Sequence, residues 1–171
     1  MQQLLRDLAG IIAVHPNGRQ LFTNWQDLLG FRIGWANPDL TANLRARHGF
    51  NPNDCEIIMM QAIGLTECHA HRKGTTVFMA LGKQHGFADP KGGTFFGKFC
   101  EGQRTFQLIP ERAQAGQIFE VGASQIHAFF ADDGGELTAI GIVCPKIRQE
   151  ESFDVVPFKY VTTDPCIVRL A

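Results

Sequence analysis

Two histidines, His69 and His71, stand one residue apart in the segment TECHAHRKG, which covers residues 66–74. Residues two positions apart on a β-strand point to the same face, so both imidazoles can reach one ion. This spacing is typical of a metal site on a strand, and it also fits two partly exposed strand histidines without a ligand. The spacing of the surrounding residues is therefore needed to choose between the two interpretations.

A regular series of residues surrounds the pair. The first cupin motif runs Gly, five residues, His-x-His, three or four residues, Glu, six residues, Gly. The corresponding positions here are Gly64, His69, His71, Thr75 and Gly82, with four residues rather than five between Gly64 and His69. The second cupin motif runs Gly, five residues, Pro-x-Gly, two residues, His, three residues, Asn, and its positions are taken by Gly116, Gly122, Ser124, His127 and Ala131. The chain therefore resembles the cupin superfamily over about residues 55–145.

The resemblance implies one divalent metal ion per chain, held by His69, His71 and His127. The Glu that is usually the fourth ligand in cupins is replaced by Thr75, with Thr76 beside it, and a neutral hydroxyl is a poor substitute for a carboxylate. Three protein ligands leave coordination positions open, as in catalytic sites. This set is similar to that of cysteine-dioxygenase-like and diketone-cleaving cupin oxygenases. Fe(II) is therefore the favoured metal, with Zn, Ni, Mn or Co as alternatives, and a cupin that has lost its metal is the competing interpretation.

Glu67 offers a possible fourth ligand, because positions 67, 69 and 71 share one face of a strand. The alternative is an exposed residue at the start of the strand, paired with Arg72 or Lys73. Cys68 has the opposite orientation and is not expected to be a ligand.

Other residues on inward strand positions are candidates for the walls of a substrate pocket. An Arg on a barrel strand offers a bidentate grip on an anionic substrate, which makes Arg104 the first candidate for substrate binding. A solvated Arg beside the turn at Gly102 is the alternative for this residue. Gln125 could bind a substrate carbonyl. Met79 and Phe129 are candidates for the apolar wall, and ordinary core packing is the alternative for each.

Composition and charge exclude several classes of protein. The 171 residues suit one domain, and 44% hydrophobic against 19% charged residues indicates a chain that folds. Sixteen Lys and Arg balance seventeen Asp and Glu, so nucleic acid and anionic membranes are not expected partners. The longest apolar runs are too short to span a bilayer. The five cysteines are odd in number and widely spaced, and the N-terminus lacks a signal-peptide pattern, so we expect no disulfide framework and a reduced, cytoplasmic setting.

Short β-prone runs separated by turn residues begin near Cys55. They predict strands near 55–64, 67–71, 75–82, 94–100, 104–109, 117–121, 126–131 and 136–144, and the tail SFDVVPFKYV adds an edge strand. The glycines of Asp132–Gly135 and of Glu101–Gly102 predict two hairpins. With the resemblance, residues 51–171 are predicted to form an all-β double-stranded β-helix, a jelly-roll cupin barrel.

Residues 1–50 form a partly helical N-terminal extension in this prediction. Apolar residues recur at helical spacing near the N-terminus, Asn24 could cap a short helix WQDLL, and Pro38 could begin a helix that ends before Gly49. The extension could pack on its own barrel or on a second subunit. A homodimer is expected from the family's habit and from Phe78 and Phe96, which are taken as outer strand positions.

Two classes of function remain open at this stage. The first is a metal-dependent enzyme acting on a small organic molecule, with oxygenase chemistry favoured and isomerase or decarboxylase chemistry as a variant. The second is a cupin that binds or senses a small ligand without turnover.

Overall fold

The computed structural model describes residues 1–71, 74–99, 105–144, 155–158 and 167–169. Two α-helices and twelve strands follow in chain order within this part. They are α1 (Gln2–Val14), β1 (Phe22–Leu28), β2 (Phe31–Ala36), α2 (Pro38–His48), β3 (Glu56–Ala62), β4 (Cys68–His71), β5 (Thr75–Ala80), β6 (Gly92–Phe99), β7 (Thr105–Arg112), β8 (Ile118–Val121), β9 (His127–Ala131), β10 (Leu137–Cys144), β11 (Val155–Phe158) and β12 (Ile167–Arg169). Short 3-10 helices cover Gly18–Leu21 and Lys83–His85. No helix among the described residues has the length and apolar character needed to cross a membrane.

The strands form two six-stranded antiparallel sheets. The first sheet has the order β1-β2-β3-β10-β5-β8, and the second has the order β11-β4-β9-β6-β7-β12. From β3 to β10 the chain passes repeatedly between the sheets, and only β6 and β7 are consecutive strands of one sheet. This is the topology of a double-stranded β-helix, so the predicted all-β fold class is confirmed, as is every strand predicted between residues 55 and 144.

One predicted hairpin has the correct turn and the wrong pairing. The turn at Asp132–Gly135 is present, with Gly134 at a φ of 67° and a hydrogen bond from the Gly135 N–H to the Asp132 carbonyl. The strands on either side, β9 and β10, lie in different sheets and do not pair. The turn therefore carries the chain across the barrel. The other predicted hairpin does pair β6 with β7, while its turn residues lie outside the described ranges.

The first fifty residues contain a β-hairpin as well as helices. The α2 helix begins and ends as predicted: the Asn37 side chain accepts a hydrogen bond from the Leu40 N–H, and Gly49 follows in a left-handed conformation. The segment WQDLL, however, is not helical: its first four residues belong to β1, and Leu29 begins the turn that follows. β1 pairs with β2 across the left-handed residues Leu29 and Gly30, and β2 continues the first sheet beside β3.

The first sheet separates two layers of the hydrophobic core. Its outer face carries Ile57, Met59, Val77, Met79, Ile140 and Ile142, which pack with buried leucines of α1 and α2. Its inner face packs with Phe129 of the second sheet, inside the barrel. The helices therefore cover the barrel of their own chain. Phe78 lies on the inner face, and Phe96, the register partner of His127, packs against the inner cluster, so the prediction that both lie outside is wrong.

A disulfide joins Cys55 to Cys144, a pairing that the expectation of no disulfide framework did not include. The two residues are 89 positions apart in sequence, yet the pairing of β3 with β10 brings their Cα atoms to 4.4 Å. Spacing along the chain could not reveal this neighbour relation. Cys68 is buried on the opposite face of β4 from the histidines, and Cys100 and Cys166 lie outside the described residues.

Candidate metal centre

Two neighbouring strands bring three histidines together inside the barrel. His69 and His71 share one face of β4, and His127 begins β9, where it stands directly opposite His69 in the antiparallel register. The ring centroids of His69 and His127 are 4.2 Å apart, and His71 lies 5.4 Å from each. One ring nitrogen from each residue falls within 4.8 Å of the other two, and all three side chains are buried. The group could therefore hold one ion.

Backbone carbonyls fix the tautomers of two of these imidazoles. The Nδ1 atoms of His69 and His127 lie 3.0 Å from the carbonyl oxygens of Glu67 and Gln125, respectively. A carbonyl only accepts hydrogen bonds, so each Nδ1 carries the proton and each Nε2 keeps its lone pair. Metal-binding histidines typically make this second hydrogen bond, which orients the ring.

Burial keeps two of the three histidines neutral. It lowers the pKa of His69 to about 4, although the hydrogen bond to Glu67 opposes the effect. Burial, with the nearby His69, also places the pKa of His127 well below its ordinary value. Neutral imidazole is the form that binds a metal ion, so no proton has to leave either ring at neutral pH.

The centre faces a very small apolar cavity of about 10 Å³. Side chains from the β1–β2 hairpin and from both sheets enclose it beside His69 and His71: Leu28, Leu29, Phe31, Ile58, Thr76, Phe78, Phe129 and Val143. A volume of this size holds roughly one water molecule. As far as the described residues bound it, this cavity therefore suits an ion or a single water and is too small for an organic substrate.

Two buried polar atoms near this cavity have no hydrogen-bond partner among the described residues. They are Nε2 of His127 and Oγ1 of Thr76. Buried polar groups are normally satisfied, and exceptions often mark a bound water or ion. Together with the three converging histidines, these atoms show that the residues present fit a divalent metal ion.

Comparison with known proteins identifies the fold. No protein-family model and no curated protein matches the sequence. Among solved structures, a Streptomyces PAC13 variant with uridine is similar at a TM-score of 0.52 and 9% identity, over 84% of this chain and 89% of that one. Another structure describes Pac13 as a nucleoside dehydratase. CapF with the inhibitor 3-isopropenyl-tropolone has a TM-score of 0.52 and 8% identity, over 77% of this chain and 32% of that one.

This chain has the cupin fold. The two sheets, the strand order and the three-histidine group agree with it, and the likeness to these neighbours concerns the fold alone. Within the cupin barrel, Thr76 and not Thr75 faces the histidines, because Thr76 is fully buried and lines their cavity whereas Thr75 is partly exposed. The longer of the two gaps that the first cupin motif allows after His71 leads to Thr76, which therefore stands where most cupins have their Glu.

Among the other predicted site residues that the structure describes, only Phe129 lines the cupin cavity. The Glu67 side chain is exposed and outside the histidine group, so it does not supply a fourth ligand, and only its backbone carbonyl supports His69. The Gln125 side chain accepts a hydrogen bond from the Gly122 N–H and so closes the turn before β9. Met79 faces the helices, on the wrong side of the first sheet for substrate binding. Arg104 lies outside the described residues.

Sequence reasoning missed the contribution of the N-terminal hairpin to the site. Leu28, Leu29 and Phe31 lie over the histidines, and the Glu67 N–H donates a 2.7 Å hydrogen bond to the Leu29 carbonyl. The only sequence signal is the Leu-Leu-Gly-Phe run itself, which can equally be read as the end of an amphipathic helix.

Proposed function

We propose that this cupin barrel binds one divalent metal ion through His69, His71 and His127 and acts as an enzyme on a small organic molecule. Oxygenase-like chemistry is favoured, with Fe(II) as the metal and Zn, Ni, Mn or Co as alternatives. One observation carries the proposal. Three buried imidazoles meet inside the barrel, and the Nε2 of His127 points into the group without a partner among the described residues.

The ligand set supports oxygenase chemistry over a structural role for the metal. No carboxylate of the described residues joins the three histidines, so three neutral nitrogens leave positions open for exchange. A divalent ion bound there would supply Lewis-acid polarisation or, for iron, one-electron chemistry with dioxygen. Cupins that act as isomerases or decarboxylases usually keep the Glu that Thr76 replaces here.

The residues of the chain have distinct tasks in this proposal. The carbonyls of Glu67 and Gln125 hold two rings in the ligating tautomer. Phe31, Phe78 and Phe129 exclude bulk water, which strengthens electrostatic interactions at the centre.

The size of the cavity favours a second candidate function, a cupin that binds a ligand without turnover. In the described part of the chain, the cavity beside His69 and His71 measures about 10 Å³ and does not admit an organic molecule unless side chains move. A ligand bound outside the cavity and sensed through the barrel would need no such movement.

Dioxygen consumption separates the two candidates. Protein loaded with Fe(II) or with Zn is screened with thiols and diketones, beside His127→Ala and the control His85→Ala, which alters a half-buried histidine outside the group. Uptake by the Fe(II) forms of wild type and His85→Ala, but not by His127→Ala or Zn protein, supports the oxygenase. Binding of a compound without turnover by any form supports the second candidate. Turnover by Zn protein without dioxygen supports an isomerase or decarboxylase.

We also propose that the protein is a homodimer located in the cytoplasm. In this proposal its partner is a small molecule, and it binds neither nucleic acid nor a membrane. Phe78 and Phe96 pack inside the barrel, so they do not offer the outer apolar surface that was expected to support the dimer. Light scattering tests it directly: a particle of the chain mass, 19.0 kDa, would exclude the dimer. The Cys55–Cys144 disulfide is an observation against a reducing compartment. Cell fractionation, with thiol labelling of these two residues, therefore tests the proposed cytoplasmic location.

A further inference from the structure

A second, much larger cavity lies beside the metal centre. It is a surface cleft of about 360 Å³, here named the outer cleft, and it is lined by Arg19, Asp27, Gly30, Phe31, Arg32, Gln61, Ile63 and Glu136. Cavities that bind small molecules typically measure about 300–1,000 Å³. The outer cleft is therefore large enough for an organic molecule that the histidine cavity is too small to hold.

Phe31 is the only described residue that lines both cavities. It is 6% exposed, and its ring centroid lies 6.2 Å from that of His69 and 6.2 Å from that of Phe129. It follows directly after the left-handed turn residues Leu29 and Gly30 at the tip of the hairpin. The Phe31 ring thus separates the outer cleft from the histidines.

The cleft offers charges of both signs that do not fully neutralise one another. Asp27 and Arg32 are register partners across the hairpin, yet no ion pair joins them in the described part of the chain. The Arg32 guanidinium instead lies 5.6 Å from the centroid of the Trp25 ring, where a cation–π contact orients it. Arg19 and Glu136 form a looser pair at 3.8 Å.

A ligand that matches this arrangement carries one positive and one negative group. Its carboxylate would pair with Arg32 and its ammonium with Asp27, whereas a dianion would meet two carboxylates in the cleft and a dication would meet two guanidinium groups. We propose that the outer cleft binds a small zwitterionic organic molecule and that Phe31 is the gate between this molecule and the metal centre. The gate, unlike the cleft, rests on the proposed function.

A series of ligands that differ chiefly in charge tests the cleft. Binding of 5-aminopentanoate, glutarate and 1,5-diaminopentane to the full chain is measured by calorimetry, with and without metal. We expect 5-aminopentanoate to bind best, Arg32→Gln and Asp27→Asn each to weaken it about tenfold, and Glu120→Gln, an exposed change outside the cleft, to leave it unchanged. Asp27→Asn should also raise the affinity for glutarate relative to the affinity for 5-aminopentanoate. Equal binding of all three compounds, no binding, or equal effects of Asp27→Asn and Glu120→Gln would overturn the proposal.

Metal removal tests the gate without measuring turnover. The rate at which 1,10-phenanthroline extracts the metal is compared in wild type, Phe31→Leu and Phe78→Leu, since Phe78 lines the histidine cavity but not the cleft. We expect extraction to be at least several-fold faster in Phe31→Leu alone and slower when 5-aminopentanoate occupies the wild-type cleft. Equal rates in the two variants, or no effect of the ligand, would overturn the gate. Absence of metal from wild type would overturn the proposed function. The ligand-binding series would still show whether the outer cleft binds a zwitterionic molecule.

Discussion

The stability of the metal-free protein should fall steeply between pH 6.5 and pH 4, because of the buried His69. Burial depresses the pKa of His69 in the folded protein from 6.5 to about 4. Between these values the unfolded chain binds a proton that the folded protein does not bind, so lowering the pH favours unfolding. The stability that depends on a neutral His69 is fully present above pH 6.5 and has been lost once the pH reaches about 4.

The size of the loss follows from the two pKa values. Each pH unit between them corresponds to 1.36 kcal/mol, so His69 alone accounts for about 3 kcal/mol. The pKa of His127 is depressed as well and acts in the same direction. A domain of this size is typically stable by about 5–15 kcal/mol, so the effect should be readily measurable.

Urea unfolding of chelator-treated protein at several pH values measures this loss. Carboxylates contribute to acid unfolding in every variant, so the informative quantity is the difference from His69→Gln, which cannot titrate at this position. Wild type should lose about 3 kcal/mol more than His69→Gln over this range, and the surface variant His15→Gln should follow wild type. A bound divalent ion holds the imidazole neutral and should move the loss to lower pH. Parallel curves for metal-free wild type and His69→Gln would refute the reasoning.

Three further changes test individual parts of the structure. Thr76→Asp adds a carboxylate beside the histidines and should tighten metal binding at least about tenfold in a competition titration. The control Thr75→Asp should not tighten it. Equal effects of the two variants would contradict the assignment of Thr76 to the cavity. Cys55→Ser should lower the free energy of unfolding, measured in urea, by about 4–5 kcal/mol, since the disulfide to Cys144 closes a loop of 89 positions. A loss below about 1 kcal/mol would argue against the disulfide. Phe129→Ala should cost about 3–5 kcal/mol in the same assay because the ring is fully buried, and an unchanged midpoint would contradict its place in the core.

The sequence allowed a good prediction of the barrel and of the histidine group, because both depend on local patterns. Turn residues delimit the strands, and the two-residue period places His69 and His71 on one face. The alignment of the second motif then put His127 on a separate strand. In the structure β9 lies next to β4, which brings all three residues together.

The errors arose where local pattern does not determine the tertiary neighbour. The run from Val77 to Leu81 is apolar throughout, so it does not show that Phe78 faces the barrel while Met79 faces the helices. The segment WQDLL has helical spacing, but pairing of β1 with β2 makes its first four residues part of a strand. The Cys55–Cys144 disulfide likewise depends on which strands are neighbours in the sheet.

Metal stoichiometry tests the three-histidine centre most directly. Elemental analysis of the purified protein, after loading with Fe(II) under anaerobic conditions and removal of excess metal, is compared for wild type, His69→Ala, His71→Ala, His127→Ala and the control His85→Ala. The structure predicts close to one equivalent of metal in wild type and in His85→Ala, and little in the other three, since only those three histidines converge in the described part of the chain. Equal and substoichiometric metal in all five proteins would contradict the metal centre.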